Sequence, residues 1–318
     1  MKSENLMAKL LIVSGHADKY RRLLERAELP ELKIVTAMNA TEAEAVGLDC
    51  EIVLGEPKLV QPLLMKMKNL RWAQSMYAGV EQFLDPSLRR DYILTNARGV
   101  FGDLMSEYVF GYLLNHERRI FERYRAQQEH RWDSSTTGML RGKTIGLLGV
   151  GSIGAVIAKT AKHFGMSARG YTRASEDCPD VDAYYHGNDL IEFAKELDYL
   201  VAVLPNTSET HRIVDASLLN ALPARAIFIN VGRGGAVDES ALIHALESKQ
   251  IAGAALDVFD QEPLPKEHPF WTTPNLLMTF HTSAPSLPED IVRIFRENYQ
   301  RYLRGVELKY QVDFERGY

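Results

Sequence analysis

Three polar side chains follow directly on three short apolar runs in the second half of the chain. Ala226 to Val231 leads into Gly232-Arg233-Gly234-Gly235. Gly253 to Val258 leads into Phe259-Asp260-Gln261-Glu262-Pro263, and Leu276 to Phe280 into His281-Thr282-Ser283-Ala284. Apolar runs this short, bounded by glycine and polar residues, predict buried strands. In an open α/β sheet, ligands bind outside the carboxyl ends of the strands. Arg233, Glu262 and His281 are therefore predicted to emerge on one ligand-binding edge. Imidazole is the natural acid near neutral pH. A carboxylate hydrogen-bonded to it fixes its orientation and raises its pKa. A guanidinium is a planar, two-pronged donor for a carboxylate and a carbonyl oxygen. Each residue also has a plainer use. Arg233 would bind a cofactor phosphate in its glycine-rich turn, Glu262 would cap a turn before Pro263, and His281 is one of nine histidines.

The element that would set these groups against a cofactor is KTIGLLGVGSIGAVIAKTAKHFGMSARGYTR, Lys143 to Arg173. Thr144 to Leu148 reads as a strand. Gly149, Gly151 and Gly154 follow at the spacing G-x-G-x-x-G. Ile153, Val156, Ile157, Thr160, Ala161 and Phe164 recur with a helical period up to Gly165, and Ser167 to Tyr171 reads as the next strand. Inside one βαβ unit the glycine pattern becomes a dinucleotide site. Gly149 permits the tight turn, Gly151 lets a pyrophosphate approach, and Gly154 lets helix and strand pack closely. Helix N–H groups after Ser152 and Ile153 would face the phosphates. The bland alternative is a β-to-α turn without ligand. An NAD site wants Asp or Glu at the end of the second strand. This chain has Thr172-Arg173, with no carboxylate before Glu176. A guanidinium grips a 2′-phosphate that a carboxylate would repel. The expected cofactor is NADP(H), with NAD(H) possible.

The 318 residues allow two domains, and the composition is that of an ordinary globular protein. A net charge of −5 argues for neither nucleic acid nor membrane partners. The cluster Arg118, Arg119, Arg123, Arg125, interleaved with Glu117, Glu122 and Glu129, predicts a solvated helix face. Cys50 and Cys178 lie far apart and outside metal-ligand spacing, so no metal is expected and the thiols are read as reduced. Neither a signal-peptide core nor an apolar run of membrane-spanning length is present, which reads as cytoplasmic.

Residues 1–103 read as a small α/β unit with strands at Leu10 to Val13, Lys33 to Val35, Cys50 to Leu54, Leu70 to Gln74 and Ile93 to Asn96. The turn Ser75-Met76-Tyr77-Ala78-Gly79-Val80 offers backbone N–H groups that can hold a carboxylate. A long helix is predicted from Ser106 to about Gln128. From Lys143 strands and helices alternate in the doubly wound manner, adding Ala168 to Tyr171 and Tyr199 to Val203. A helix from Asp238 to Ser248 is capped by Asp238, and a last amphipathic helix follows Pro288.

Several stretches together resemble the D-isomer-specific 2-hydroxyacid dehydrogenase family. They are Leu148-Gly149-Val150-Gly151-Ser152-Ile153-Gly154, Leu204-Pro205-Asn206-Thr207, Asn230-Val231-Gly232-Arg233-Gly234, Leu256-Asp257-Val258-Phe259, Glu262-Pro263-Leu264-Pro265 and His281. The resemblance implies a Rossmann nucleotide domain, 104–285, and a smaller flavodoxin-like substrate domain, 1–103, completed by 286–318. It implies Arg233 as substrate-binding arginine, His281 as acid/base, and Glu262 as its partner. Asp257 is implied near the nicotinamide, with Leu204, Pro205, Thr210, Val231 and Gly232 also on the cofactor. Tyr77, Ala78 and Gly79 are implied at the substrate carboxylate. Family members are commonly dimers, so a homodimer is expected. The glyoxylate/hydroxypyruvate reductase branch shares the Thr172-Arg173 strand end and an ending like Val312-Asp313 with Arg316-Gly317-Tyr318. Phe280 departs from the family's usual proline before the histidine, and Thr282-Ser283 departs after it. The expected reaction is NADPH-dependent reduction of glyoxylate or hydroxypyruvate to a D-2-hydroxy acid. The alternatives are larger branched or aromatic keto acids, with Tyr77, Trp132 and Phe280 lining a roomier pocket, or a dinucleotide-sensing binding protein.

Overall fold

The computed structural model describes residues 7–317. Tyr318, the last residue of the tail motif, lies outside them. The chain divides into two compact units, one running to Val100 and resuming at Ser286, the other Phe101–Pro285. The division falls three residues ahead of 103/104, because the helix Gly102–Arg118 starts sooner than its apolar period announces.

The first unit holds a five-stranded sheet: β1 Ala8–Val13, β2 Leu32–Ala37, β3 Ile52–Gly55, β4 Trp72–Ser75 and β5 Ile93–Thr95. The order is β2-β1-β3-β4-β5 and every pair is parallel. This is the flavodoxin-like order. Parallel strands covered on both faces carry continuous apolar runs, and Leu10, Leu11, Ile12 and Val13 are fully buried. The helix Pro288–Leu303 belongs to this unit. Proline stands at its N-terminus, and Glu289 and Asp290 lie in its first turn, where the helix dipole favours negative charge. Its apolar face buries Ile291, Ile294, Phe295 and Tyr299. Phe295 stacks on Trp72 with ring centroids 4.9 Å apart, and Tyr299 donates to the Pro30 carbonyl at 2.9 Å.

The second unit holds seven parallel strands: β6 Thr144–Leu148, β7 Ser167–Tyr171, β8 Ala183–Tyr185, β9 Tyr199–Ala202, β10 Ile227–Asn230, β11 Gly253–Leu256 and β12 Leu276–Met278. Their order is β12-β11-β10-β9-β6-β7-β8. This is the doubly wound arrangement, and it reverses direction between β6 and β9. β8 is absent from the expected strands. Its three residues are all only half-buried, so they carry no apolar run.

Two expectations are corrected. The helix predicted from Ser106 to about Gln128 is two helices, Gly102–Arg118 and Ile120–Gln128. Arg119 takes the left-handed conformation between them at φ 53°, and Asn115 Oδ1 accepts from the Phe121 N–H. A left-handed residue that satisfies the last helical carbonyls is how many helices stop, although glycine usually supplies it. Glu117, expected on a solvated face, is buried. It accepts from Tyr199 Oη at 2.6 Å and lies 3.4 Å from Lys143 Nζ. Burying a carboxylate demands such partners.

Candidate active site

In the second unit six of the seven strands lead out of their carboxyl ends into expected segments. Read along that edge, β12 leads to His281, β11 to Glu262, β10 to Arg233, β9 to Leu204-Pro205, β6 to the glycine-rich turn and β7 to Thr172-Arg173. At about 4.8 Å per strand, the five spacings from β12 to β7 make a strip of roughly 24 Å. The glycine turn sits where the strand order reverses, the position at which open α/β sheets bind ligands.

The glycine turn is shaped for phosphate. Gly149 has φ 94°, a conformation that a side chain would strain. A Cβ on Gly154 would stand 2.4 Å from the Gly149 carbonyl oxygen, so the helix Ser152–His163 can approach β6 only with glycine there. A Cβ on Gly151 would meet nothing within 4 Å, and the helix N-terminus therefore opens onto free space. A groove of about 420 Å³ runs from Val150-Gly151-Ser152 to the segment 175–180. These observations fit a dinucleotide pyrophosphate.

At the other end, His281 Nδ1 lies 2.8 Å from Glu262 Oε2. The second Glu262 oxygen accepts from the Phe259 N–H at 3.1 Å, so the carboxylate is fixed before it fixes the imidazole. Glu239 pins the loop from outside, accepting from the Asp260 N–H and lying 3.2 Å from His268 Nε2. The Arg233 turn packs directly on this loop, since a Cβ on Gly234 would overlap the Phe259 backbone at 1.8 Å. The buried Asn230 side chain shapes that turn by accepting from Gly232 N–H and donating to the Arg233 carbonyl. Arg233 is half-buried and donates to the Gly232 carbonyl at 2.8 Å.

Asp257, implied near the nicotinamide, holds the loop that carries His281. Its side chain is fully buried, and both its oxygens face the loop that carries His281. It accepts from Thr279 Oγ1, from the Thr282 N–H at 2.9 Å and from the Ser283 N–H at 3.0 Å. Its carbonyl also accepts from the His281 N–H at 2.7 Å. Burial pushes the carboxyl pKa up, but the hydrogen bonds from Ser283, Thr279 and Thr282 outweigh it and hold the group below its ordinary 3.8. Behind Thr279 stands Tyr108, whose hydroxyl is 2.7 Å from the Thr279 hydroxyl. Neither Thr279 nor Tyr108 is legible from sequence as part of the site. The one available hint is the polar pair Thr282-Ser283 at the departure from the family pattern.

The remaining expected residues lie as follows. Thr172 turns its hydroxyl into its own loop, donating to the Ser175 carbonyl at 2.7 Å. Arg173 Nη2 donates to Glu209 Oε2 at 2.6 Å. Thr210 Oγ1 donates to the Pro205 carbonyl at 2.6 Å and closes the Leu204-Pro205 loop. Val231 and Gly232 are buried beside the Arg233 turn. Phe280 and Trp132 are exposed, Phe280 against Trp271 with ring centroids 5.8 Å apart. In the first unit, Ser75 Oγ donates to the Tyr77 carbonyl and accepts from its N–H, and Asn96 Nδ2 donates to the Ala78 carbonyl. The Ala78 and Gly79 N–H groups take no acceptor among the described residues. Those residues also contain no group of three or more metal-ligating side chains, and no helix long and apolar enough to cross a membrane.

The family model for the D-isomer specific 2-hydroxyacid dehydrogenase NAD binding domain matches residues 110–283. The chain belongs to this family. Its branch is marked by a glyoxylate/hydroxypyruvate reductase A of Klebsiella pneumoniae subsp. pneumoniae, 35% identical over 68% of this chain and 70% of that one. A 2-hydroxyacid dehydrogenase family protein from Aeromonas salmonicida subsp. salmonicida has a similar structure. It is 44% identical with a TM-score of 0.93, over 97% of this chain and 99% of that chain. A family dehydrogenase from Xanthobacter autotrophicus Py2, solved in complex with NADPH and MES, is 30% identical with a TM-score of 0.87, over 98% and 100% of the two chains. This dehydrogenase is therefore an oxidoreductase with an NAD(P)-binding Rossmann domain.

Proposed function

We propose that this dehydrogenase reduces small 2-keto acids, glyoxylate and hydroxypyruvate first, to D-2-hydroxy acids with NADPH. The observation that carries the proposal is the His281–Glu262 pair at 2.8 Å, one strand away from Arg233, on the sheet edge that carries the glycine turn. The nicotinamide, when bound, supplies the hydride. The chain's own residues do the rest. Arg233 grips the keto acid and turns its carbonyl toward the imidazole. With Nδ1 held by Glu262, Nε2 of His281 is the nitrogen that gives its proton to the developing alkoxide oxygen. Glu262 fixes the ring's orientation through Nδ1. The Ala78 and Gly79 N–H groups take the substrate carboxylate beside Tyr77. The relatives named as glyoxylate/hydroxypyruvate reductases support the substrate class. NADPH consumption on addition of either acid tests it.

Gly149, Gly151, Ser152, Ile153 and Gly154 would hold the pyrophosphate, and Leu204, Pro205, Thr210, Val231, Gly232 and Asp257 line the rest of the nucleotide site. Thr172 and Arg173 give the preference for NADP(H), supported by the Xanthobacter relative's NADPH complex. The Arg173–Glu209 pair does not oppose this. Both side chains are more than half exposed, and such a pair is weak enough for a phosphate dianion to displace the carboxylate. Replacing Arg173 with alanine and Thr172 with aspartate is expected to lower the NADPH-over-NADH preference roughly ten- to a hundredfold. A preference ratio that stays put in steady-state kinetics would overturn the assignment.

The homodimer expected of the family is supported by the apolar side chains Ile120, Phe121, Tyr124, Trp132 and Met139. All are exposed within a short stretch of the second unit.

A further inference from the structure

Beside the Thr172-Arg173 strand end lies an imidazole that the reaction does not use. His186 follows β8, the edge strand next to β7. Its Nδ1 stands 2.9 Å from the Thr172 carbonyl oxygen and 3.2 Å from Thr172 Oγ1. Its Nε2 stands 2.8 Å from Glu176 Oε1. The Thr172 hydroxyl gives its own proton to Ser175, so it faces His186 as an acceptor. Both ring nitrogens thus point at acceptors, and only the doubly protonated imidazolium satisfies both at once. The ring stacks on Tyr184 with an interplanar angle of 5°.

We propose that His186 is a specificity-determining residue for the cofactor. As an imidazolium it neutralises Glu176, the first carboxylate after Arg173, and so keeps this strand end favourable to a 2′-phosphate. The inference rests on the reading that Arg173 holds that phosphate. The charged groups around the ring are Glu176 on the loop after β7 and Asp189 on the turn after β8. The Arg173–Glu209 pair adjoins the same strand end. The hydrogen bond to Glu176 first, then the Thr172 carbonyl, raise the His186 pKa above its ordinary 6.5. A raised pKa means that the neutralising charge persists to higher pH than on a free imidazole and is lost as pH rises through the folded value. Glu176 then repels the phosphate, and discrimination against nucleotides without it weakens. The phosphate's own second ionisation, near a pKa of about 6, runs the other way and is nearly complete by neutrality.

The test is binding, not turnover. Calorimetric dissociation constants for 2′,5′-ADP and 5′-ADP would be compared between about pH 7 and about pH 9. In the wild-type protein the ratio favouring 2′,5′-ADP is expected to fall roughly fivefold across that range. Glu176→Gln, at an exposed position, should hold the ratio high and flat, and His186→Ala should keep it low throughout. A wild-type ratio that stays constant overturns the proposal, and so does one that falls equally in E176Q. Arg173→Ala separates the two layers. If R173A loses discrimination at every pH while E176Q behaves as wild type, only the role of His186 fails. If R173A discriminates as well as wild type, the reading of Arg173 itself is wrong.

Discussion

Replacing His281 with alanine is expected to lower kcat for keto-acid reduction by about a hundred- to ten-thousandfold, the usual contribution of a positioned general acid. The reason lies in the geometry around the ring. Glu262 is anchored by the Phe259 N–H and in turn holds Nδ1, which leaves the imidazole's other nitrogen to donate the proton. The side chain is half exposed and fills no core, so its removal should leave the fold and NADPH binding intact. The measurement is steady-state kcat beside fluorescence titration of NADPH. Unchanged cofactor affinity with collapsed turnover fits the assignment. Simultaneous loss of both would show that His281 shapes the nucleotide site instead. Glu262→Gln keeps an acceptor for the Phe259 N–H but loses the charge, so a smaller fall in the same direction follows.

The second large effect is expected at Asp257, through the loop that it holds. Alanine there removes the acceptor of the Thr282 and Ser283 N–H groups, beside a fully buried position, and leaves the Thr279 hydroxyl only Tyr108. Buried donors without partners cost about 1–3 kcal/mol each, so a loss of about 3 kcal/mol or more is expected. For a unit of this size that lowers Tm by roughly 6–12 °C. His281 lies between the loop's anchored residues, so kcat should fall while the KM for the keto acid changes less. The sign of the pH dependence is fixed by the depressed carboxyl pKa. A group held below its ordinary value stabilises above the unfolded pKa, and that stability is lost only as pH falls through the folded one. The Asp257→Ala deficit should therefore be constant across the neutral range and vanish only in strong acid. A wild-type kcat with unchanged Tm would remove Asp257 from this role.

The sheet of the second unit was legible because parallel strands buried on both faces are unbroken apolar runs, each followed by glycine or polar residues. Thr144–Leu148 appears in the structure with the bounds that its sequence suggests, and the other strands of that sheet foreseen from sequence lie within a residue or two. The glycine turn was legible because its demands are local: a positive φ at Gly149 and a close approach at Gly154. What sequence did not reveal is long-range or against propensity. Arg119 breaks a helix without glycine or proline. Glu117 is buried because Tyr199, far along the chain, reaches it. The loop 279–283 depends on Asp257, and the Glu176–His186 pair spans a strand too short to announce itself. None of these leaves a period in the sequence.

The most direct measurement follows the loss of NADPH absorbance with glyoxylate, hydroxypyruvate, pyruvate and phenylpyruvate, repeated with NADH. Rapid turnover of the two smallest hydroxy- or aldehyde-bearing acids, faster with NADPH than with NADH, is the expected result. Tight NADPH binding with no turnover of any of the four would contradict the assignment of His281, Glu262 and Arg233 as a keto-acid reductase site.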